Sequence, residues 1–498
     1  MTTENPFALI KPVAFAAAML VGSSVSESDP AAWNSGTAYA VGDVRYVSQT
    51  QRCYTCLVAN TGHRPDFYDE IAIPEWQVSD TEATTWAAGE YLMVGARRRL
   101  ASTHLVYECQ EAHYSRNAST ATVTISNATP GVVAWTSHGQ AAGTPVVLST
   151  TGTLPAPLVP GVTYYVLSPN TNDFQLAATV GGTAINTTSA GSGTHTATVA
   201  STSPELNVGD GQLWVEVGAT NKYAAFDNTW GTQTTSRAAL VDWNSGTSYA
   251  VGDLCKSGGI IYKCLIAHSN AAPASNTGGG SPKWLDVGAA STYALTLAYQ
   301  PGQVVDSVAC LNLLGSSINI TCTNGGVPIS SRTITLETDI GVYDWYSYFM
   351  APIVAEDDVV ETDLLPYYNQ IVHVTITGPS TVAIGNIAAG QYVEFGALQL
   401  DASASITDYS KKTTDDFGHI TVVERPYSKR FEGVVQIDST FTDQAAAILA
   451  QVRATPCVYI GAGNLFSSLI VWGFFKDFQI LFKHQEQHFV SISIEGLV

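Results

Sequence analysis

Trp33-Asn34-Ser35-Gly36-Thr37-Ala38-Tyr39-Ala40-Val41-Gly42-Asp43 recurs almost unchanged as Trp243-Asn244-Ser245-Gly246-Thr247-Ser248-Tyr249-Ala250-Val251-Gly252-Asp253. A looser copy starts Trp86-Ala87-Ala88-Gly89-Glu90-Tyr91 and reaches Val94-Gly95. Each copy leads into an aromatic-x-Cys strand, at Tyr54/Cys56, Tyr107/Cys109 and Tyr262/Cys264, and closes on a second tryptophan, at Trp76, Trp214 and Trp284. Repetition of this kind marks small units built to one plan. In each, tryptophan and tyrosine bracket a Gly-containing turn, a second turn starts a short strand, and the Tyr-x-Cys strand returns against it. So small a unit has little core, and its aromatics must supply most of the burial. Trp33, Trp76, Trp86, Trp214, Trp243 and Trp284 are therefore the expected module core.

Working outward, 498 residues exceed the roughly 250–300 that one core supports, so several domains are expected. Charged residues are only 13%, about half the usual share, with Gly, Ser, Thr, Asn, Tyr and Val in their place. That composition favours many short strands joined by tight turns and predicts a mainly β, multi-domain chain. The formal net charge of −20 repels phosphate backbones and argues against nucleic acid. The charge is uneven: residues 301–400 carry ten acids against Arg332 alone, roughly −9, and the last hundred are near balance. Ala8 to Val21 is apolar but too short to span a bilayer, so no membrane insertion is expected. Glu4 replaces the basic start of a secretory signal, and Lys11-Pro12 interrupts the run. It reads as a packed arm or strand.

The predicted organisation is an N-terminal arm over 1–31, module 1 over 32–80, and a split module 2 over 81–226 that carries an inserted antiparallel β domain at 118–205. A linker at 227–240 precedes module 3 at 241–290. A β-sandwich follows over 291–405, with strands expected at Cys310–Leu314, Ile318–Cys322, Arg332–Thr338, Asp344–Met350, Val372–Ile376 and Tyr392–Leu400. The unit 406–498 reads strand, helix, strands. Thr440 with Asp443 suggests a capping box, and Ala445, Ile448, Leu449 and Val452 recur at helical spacing before Pro456.

The W…Y..GD…Y.C…P..W arrangement resembles the chitin-binding type-3 modules, the family 5 and 12 carbohydrate-binding modules of chitinases and cellulases. That resemblance implies exposed aromatics that stack on sugar rings. The tyrosines beyond core needs are Tyr39, Tyr46, Tyr54, Tyr249 and Tyr262, with Tyr68 beside them. Strand alternation should turn some of these outward, which makes them the glycan-binding candidates. The inserted segment GTPVVLSTTGTLPAPLVPGVTYYVLSPNTNDFQLAAT is similar to a domain scattered through phage tail and fibre proteins. The stretch VTITGPSTVAIGNIAAGQYVEFGALQLDASASITDYSKK resembles the galactose-binding-like jelly rolls of phage tail proteins. The segments SKRFEGVV, LAQVRATPCVYIG, SLIVWGFFKDFQI and SISIEGLV resemble the hub-type domain of tail-tip and distal tail proteins, related to the tail-tube fold. That fold implies rings about a tail axis.

Chemical motifs are sparse. Cys53-Tyr54-Thr55-Cys56 lies in an alternating pattern where i and i+3 face apart, and no second CxxC completes a zinc site, so packed free thiols are expected. His484, Glu486 and His488 share a strand face but sit in a turn between strands, and they lack the helical HExxH spacing. Glu356, Asp357, Asp358, Glu361 and Asp363 form an acidic loop without the spacing of a calcium loop and read as a solvated face. There is no P-loop, dinucleotide fingerprint or GxSxG. The expectation is no catalytic residue, metal or cofactor. The first reading is a non-enzymatic structural component of a phage tail tip or baseplate in the virion. It would be a homo-oligomeric ring, hexamer ahead of trimer, joined to other tail-tip and tail-tube proteins and displaying modules toward host surface glycan. The second is a receptor-binding adhesin or tail spike. The third is a secreted glycan-active enzyme.

Overall fold

The computed structural model describes residues 5–67, 74–209, 211–227, 234–236, 242–258, 260–278, 281–289, 293–338, 344–345, 354–379, 382–414, 420–423, 425, 427–464 and 466–497. The chain is mainly β and multi-domain, and it divides into two compact units. One comprises 29–101 with 106–217. The other comprises 1–28, 102–105 and 218–498.

The first unit holds two modules and the insert. Strands Val44–Val47, Arg52–Cys56 and Trp76–Val78 form the first module's sheet, beside the short pair Ala38–Tyr39 and Asn60–Thr61. In the second copy, Tyr91–Leu92 pairs with His113–Tyr114, and the chain then leaves for the insert. The insert is a closed barrel of Ser119–Ile125, Val132–Ala134, Asp173–Ala177, Thr163–Leu167, Pro145–Thr150 and His195–Val199. Its alternating Val123, Val146, Leu148, Val166, Phe174 and Leu176 fill the interior.

In the second unit, one sheet runs Leu20–Ser23, Tyr293–Tyr299, Ile371–Gly378, Ser317–Asn324 and Val327–Thr335. Leu295, Leu297, Ile318, Ile320, Val372, Val374 and Ile376 point from it into a core shared with Val308, Cys310, Ile384 and Ile387 of the facing strands. This is a sandwich, with residues of opposite parity on the outer face. Those outer residues, Thr296, Asn319, Thr321, His373 and Thr375, are polar yet buried. Module 3 accounts for part of that cover: Lys263 reaches Thr375, and Ile266 lies against Gly326.

The boundary drawn at 405/406 does not exist as a break. Val382–Leu398 serves the sandwich at one end and the C-terminal region at the other. The N-terminal arm enters as a central strand, Pro6–Pro12, between Val382–Leu398 and Cys457–Ile460. Its apolar run Phe7-Ala8-Leu9-Ile10 suits a strand covered on both faces. Next come Ile470–Leu481, Gln487–Gly496 and Tyr427–Asp438, and Ala397 and Leu398 pair back to Gln436 and Val435. The strands thus close a cycle around Phe7, Leu9, Phe395, Phe431, Tyr459, Val471, Val490 and Ile492, against Ala445 and Leu449 of the helix Thr442–Gln451.

Two local expectations are corrected, and a third lies mostly outside the described residues. The helix is entered through a 3-10 turn capped by Asp438, whose carboxylate accepts from the Thr440 amide at 2.8 Å and hydroxyl at 2.6 Å, so the Thr440–Asp443 box is not the cap. The 227–240 linker contains a strand, Thr234–Ser236, on Val382–Ile384. The expected strand Asp344–Met350 lies mostly outside the described residues, and Asp344 and Trp345 are not in a strand.

Candidate functional site

The three modules share one set of backbone bonds. Gly42 donates to the Cys56 carbonyl and Cys56 to the Asp43 carbonyl; Gly252 and Cys264, and Gly95 and Cys109, repeat the exchange at 2.7–2.9 Å. Gly42, Gly95 and Gly252 have φ of 88°, 82° and 94°, which is why glycine recurs there. In the two close copies the aspartate side chain accepts from the Ala40 or Ala250 amide, and Asn34 or Asn244 accepts from the glycine two residues on.

That scaffold determines which aromatics are free. Tyr39 accepts a bond from the Asn34 amide and donates to the Asn34 carbonyl, with its ring edge-on to Trp76 at 5.2 Å. Tyr249 repeats this with Asn244 and Trp284. Tyr54 and Tyr262 are buried as well, each on the central strand of its module's small sheet. These four candidates are core residues and have no free face for a sugar. Tyr46 is half-buried, with the Arg98 guanidinium 6.0 Å from its ring centre. Tyr68 lies outside the described residues. The tryptophans divide by position. The closing Trp76, Trp214 and Trp284 are fully buried, whereas the opening Trp33, Trp86 and Trp243 are only half-buried at the rim of their small cores.

The degenerate second copy carries what the close copies lack. Tyr91 and Tyr114 are directly paired across two strands, their ring centres 5.1 Å apart and tilted 57°, with 49% and 54% of their surfaces exposed. The matching pairs are Ala38/Thr61 and Ser248/Ser269. The cause is one residue of spacing. Tyr39 and Tyr249 stand six residues after their tryptophan and Tyr91 five, so Tyr91 turns to the outer face and Leu92 takes the buried one. The platform is braced from below: Gln51 donates to the Tyr91 carbonyl at 2.8 Å and accepts from the Met93 amide at 3.0 Å. Ser115 ties Ala87 and Glu90. A further exposed ring, Phe67 at 65%, lies 4.6 Å beneath the Arg64 guanidinium, which is held by Asp66. Sequence reading missed Tyr114 and Phe67 and took Tyr91 as a module tyrosine; the shortened Trp86–Tyr91 spacing was the available signal.

The other chemical candidates disperse. All eight cysteines are free and buried, and burial pushes Cys53, Cys255, Cys264, Cys310 and Cys457 up to about 12. The acidic loop is not a solvated face throughout. Asp358 is buried against Lys429 at 2.5 Å, and Glu361 is buried against Arg332 at 2.8 Å. Burial raises the Asp358 carboxyl despite the pull of Lys429. His488 shares a hydrogen bond with Thr442 at 2.7 Å, while His484 and Glu486 are exposed. A polar groove of about 400 Å³ lies on the C-terminal strands, lined by Asp401, Ser403, Glu432, Asp477, Gln479 and Ser493. No family model matches this chain, and no curated protein or solved structure matches it.

Proposed function

We propose that this chain is a non-enzymatic structural and attachment protein of a bacteriophage tail tip or baseplate. In this reading it forms a homo-oligomeric ring and its small modules touch host-surface glycan. The observation that carries the attachment role is the Tyr91–Tyr114 pair, two rings held outward on a braced strand pair. Aromatic faces are apolar and fit the C–H faces of a pyranose. One such contact contributes about 1–2 kcal/mol, so a single module binds near the millimolar range, roughly −4 kcal/mol. Several copies on one ring raise avidity by about 10²–10⁴.

Retention of the full chain on host envelope polysaccharide and on chitin-like polymer tests this. Wild type should be retained, nearly independently of salt, because stacking rather than charge carries the contact. Tyr91→Ala with Tyr114→Ala should lose most of that retention while thermal unfolding is unchanged. Equal retention of wild type and the double variant would remove the assignment. Gold-labelled antibody against the chain should mark the tail tip of the particle.

A further inference from the structure

Two successive antiparallel strand pairs between Ser403 and Glu432 make up an arm. Ser403–Asp408 pairs with Tyr427–Glu432, and further along the chain Lys411–Thr414 pairs with Ile420–Val423. Among the described residues no third strand joins the outer part. A two-stranded ribbon is marginal in water unless something covers it. This one displays Ile406, Tyr409, Val422, Val423 and Tyr427 to solvent. Lys411, Lys412 and Arg425 are exposed among them, without an ion pair among the described residues. Lys411 is directly opposite Val423, and Lys412 opposite Val422. Adjacent pairs face opposite ways, so each face of the tip carries one apolar and one basic group.

The chemical complement is on the same unit. After the strand Val359–Glu361, the chain exposes Asp363, Leu365, Tyr367 and Tyr368 in succession. Glu356 and Asp357 are half-exposed nearby in sequence. Two other acids of this stretch already have partners within the chain, Asp358 with Lys429 and Glu361 with Arg332, whereas Asp363 forms no ion pair among the described residues. The Lys429–Asp358 tie fixes the inner strand pair, and the outer pair of Lys411–Thr414 with Ile420–Val423 lies beyond it along the chain.

We infer that the arm of one copy seats on the Asp363–Tyr368 segment of a second copy. The face that carries Lys411 and Val423 meets the seat, with Lys411 toward the acids and Val423 over Leu365, Tyr367 and Tyr368. This rests on the oligomer proposed above and names its joint. Arm and seat are different surfaces, so the contact is head-to-tail, and it closes as a ring when the rotation per copy allows.

The test uses the full chain. Its native thiols are all buried, so an introduced surface cysteine is the reactive one. Val423→Cys and Tyr368→Cys chains, prepared separately and mixed under oxidising conditions, should give a disulfide-linked dimer of one of each. Light scattering should show a wild-type oligomer, and Lys411→Glu with Lys412→Glu should weaken self-association by roughly tenfold or more, with partial recovery on adding Asp363→Lys. An oligomer of unchanged affinity in the charge variant, with no mixed disulfide, overturns the arm contact and leaves the oligomer standing. A wild-type chain that stays monomeric at roughly tens of micromolar removes the oligomer itself.

Discussion

The Lys263 ammonium of module 3 lies 2.9 Å from the Thr375 hydroxyl on the outer face of the sandwich, fully buried and without an ion-pair partner among the described residues. Burial pulls Lys263 down to about 7, and burial also holds the nearby His373 well below its ordinary value. A buried amine that is not paired with a carboxylate among the described residues joins the module to the sandwich, and that joint should respond to pH.

For Lys263 the folded value lies below the unfolded one, so the unfolded chain binds more protons between about pH 7 and 10.5. Stability of this unit should therefore rise with pH across that window. His373 adds a loss in the same direction as pH falls below about 6.5. Lys263→Met should flatten the profile above pH 7 and stabilise the protein by roughly 1–3 kcal/mol at pH 7. Denaturant titrations of both chains at pH 6, 7.5 and 9 check this. Parallel profiles would mean that Lys263 is hydrated.

The two tryptophans of one module should differ. Trp76→Ala and Trp284→Ala each empty a fully buried site and should cost about 3–5 kcal/mol. Trp33→Ala and Trp243→Ala remove half-buried rings and should cost about half as much. Calorimetry of the four variants decides; equal losses would contradict the division into core and rim.

Gly396 sits where the strand cycle closes. A Cβ there would lie 2.1 Å from the Gln436 carbonyl oxygen, and the residue has φ of 151°. Gly396→Ala should push apart the Ala397–Gln436 pairing and cost roughly 2–4 kcal/mol. Amide exchange should accelerate at Ala397, Leu398 and Val435. Unchanged protection there would show that the strands shift without opening.

The eight thiols should be silent in the native chain. All are buried, and in five of them burial has pushed the thiol up to about 12, so little thiolate forms near pH 8. A chromogenic thiol reagent should react with none in the first minutes and with all eight after unfolding. Fast reaction of Cys53 and Cys56 alone would revive a chemical role for that pair.

Some of this was local and therefore legible. The Trp…Tyr…Gly-Asp repeat, the strand-rich composition and the helix after Ile437 were readable because turns, β-branched alternation and helical spacing act over a few residues. Fully buried Trp76, Trp214 and Trp284 follow from the same logic, since a module of this size must bury its largest ring. Apart from the shortened Trp86–Tyr91 spacing, the outward or inward face of a tyrosine was not legible. Parity along a strand says which residues share a face, but the partner covering that face comes from elsewhere in the chain. Tyr54 and Tyr262 are covered inside their modules, whereas Tyr91 escaped through one missing residue. The place of Pro6–Pro12 was likewise tertiary: nothing local tells a strand that its neighbours are Val382–Leu398 and Cys457–Ile460. The same distance erased the boundary drawn at 405/406, because one strand was long enough to belong to two cores.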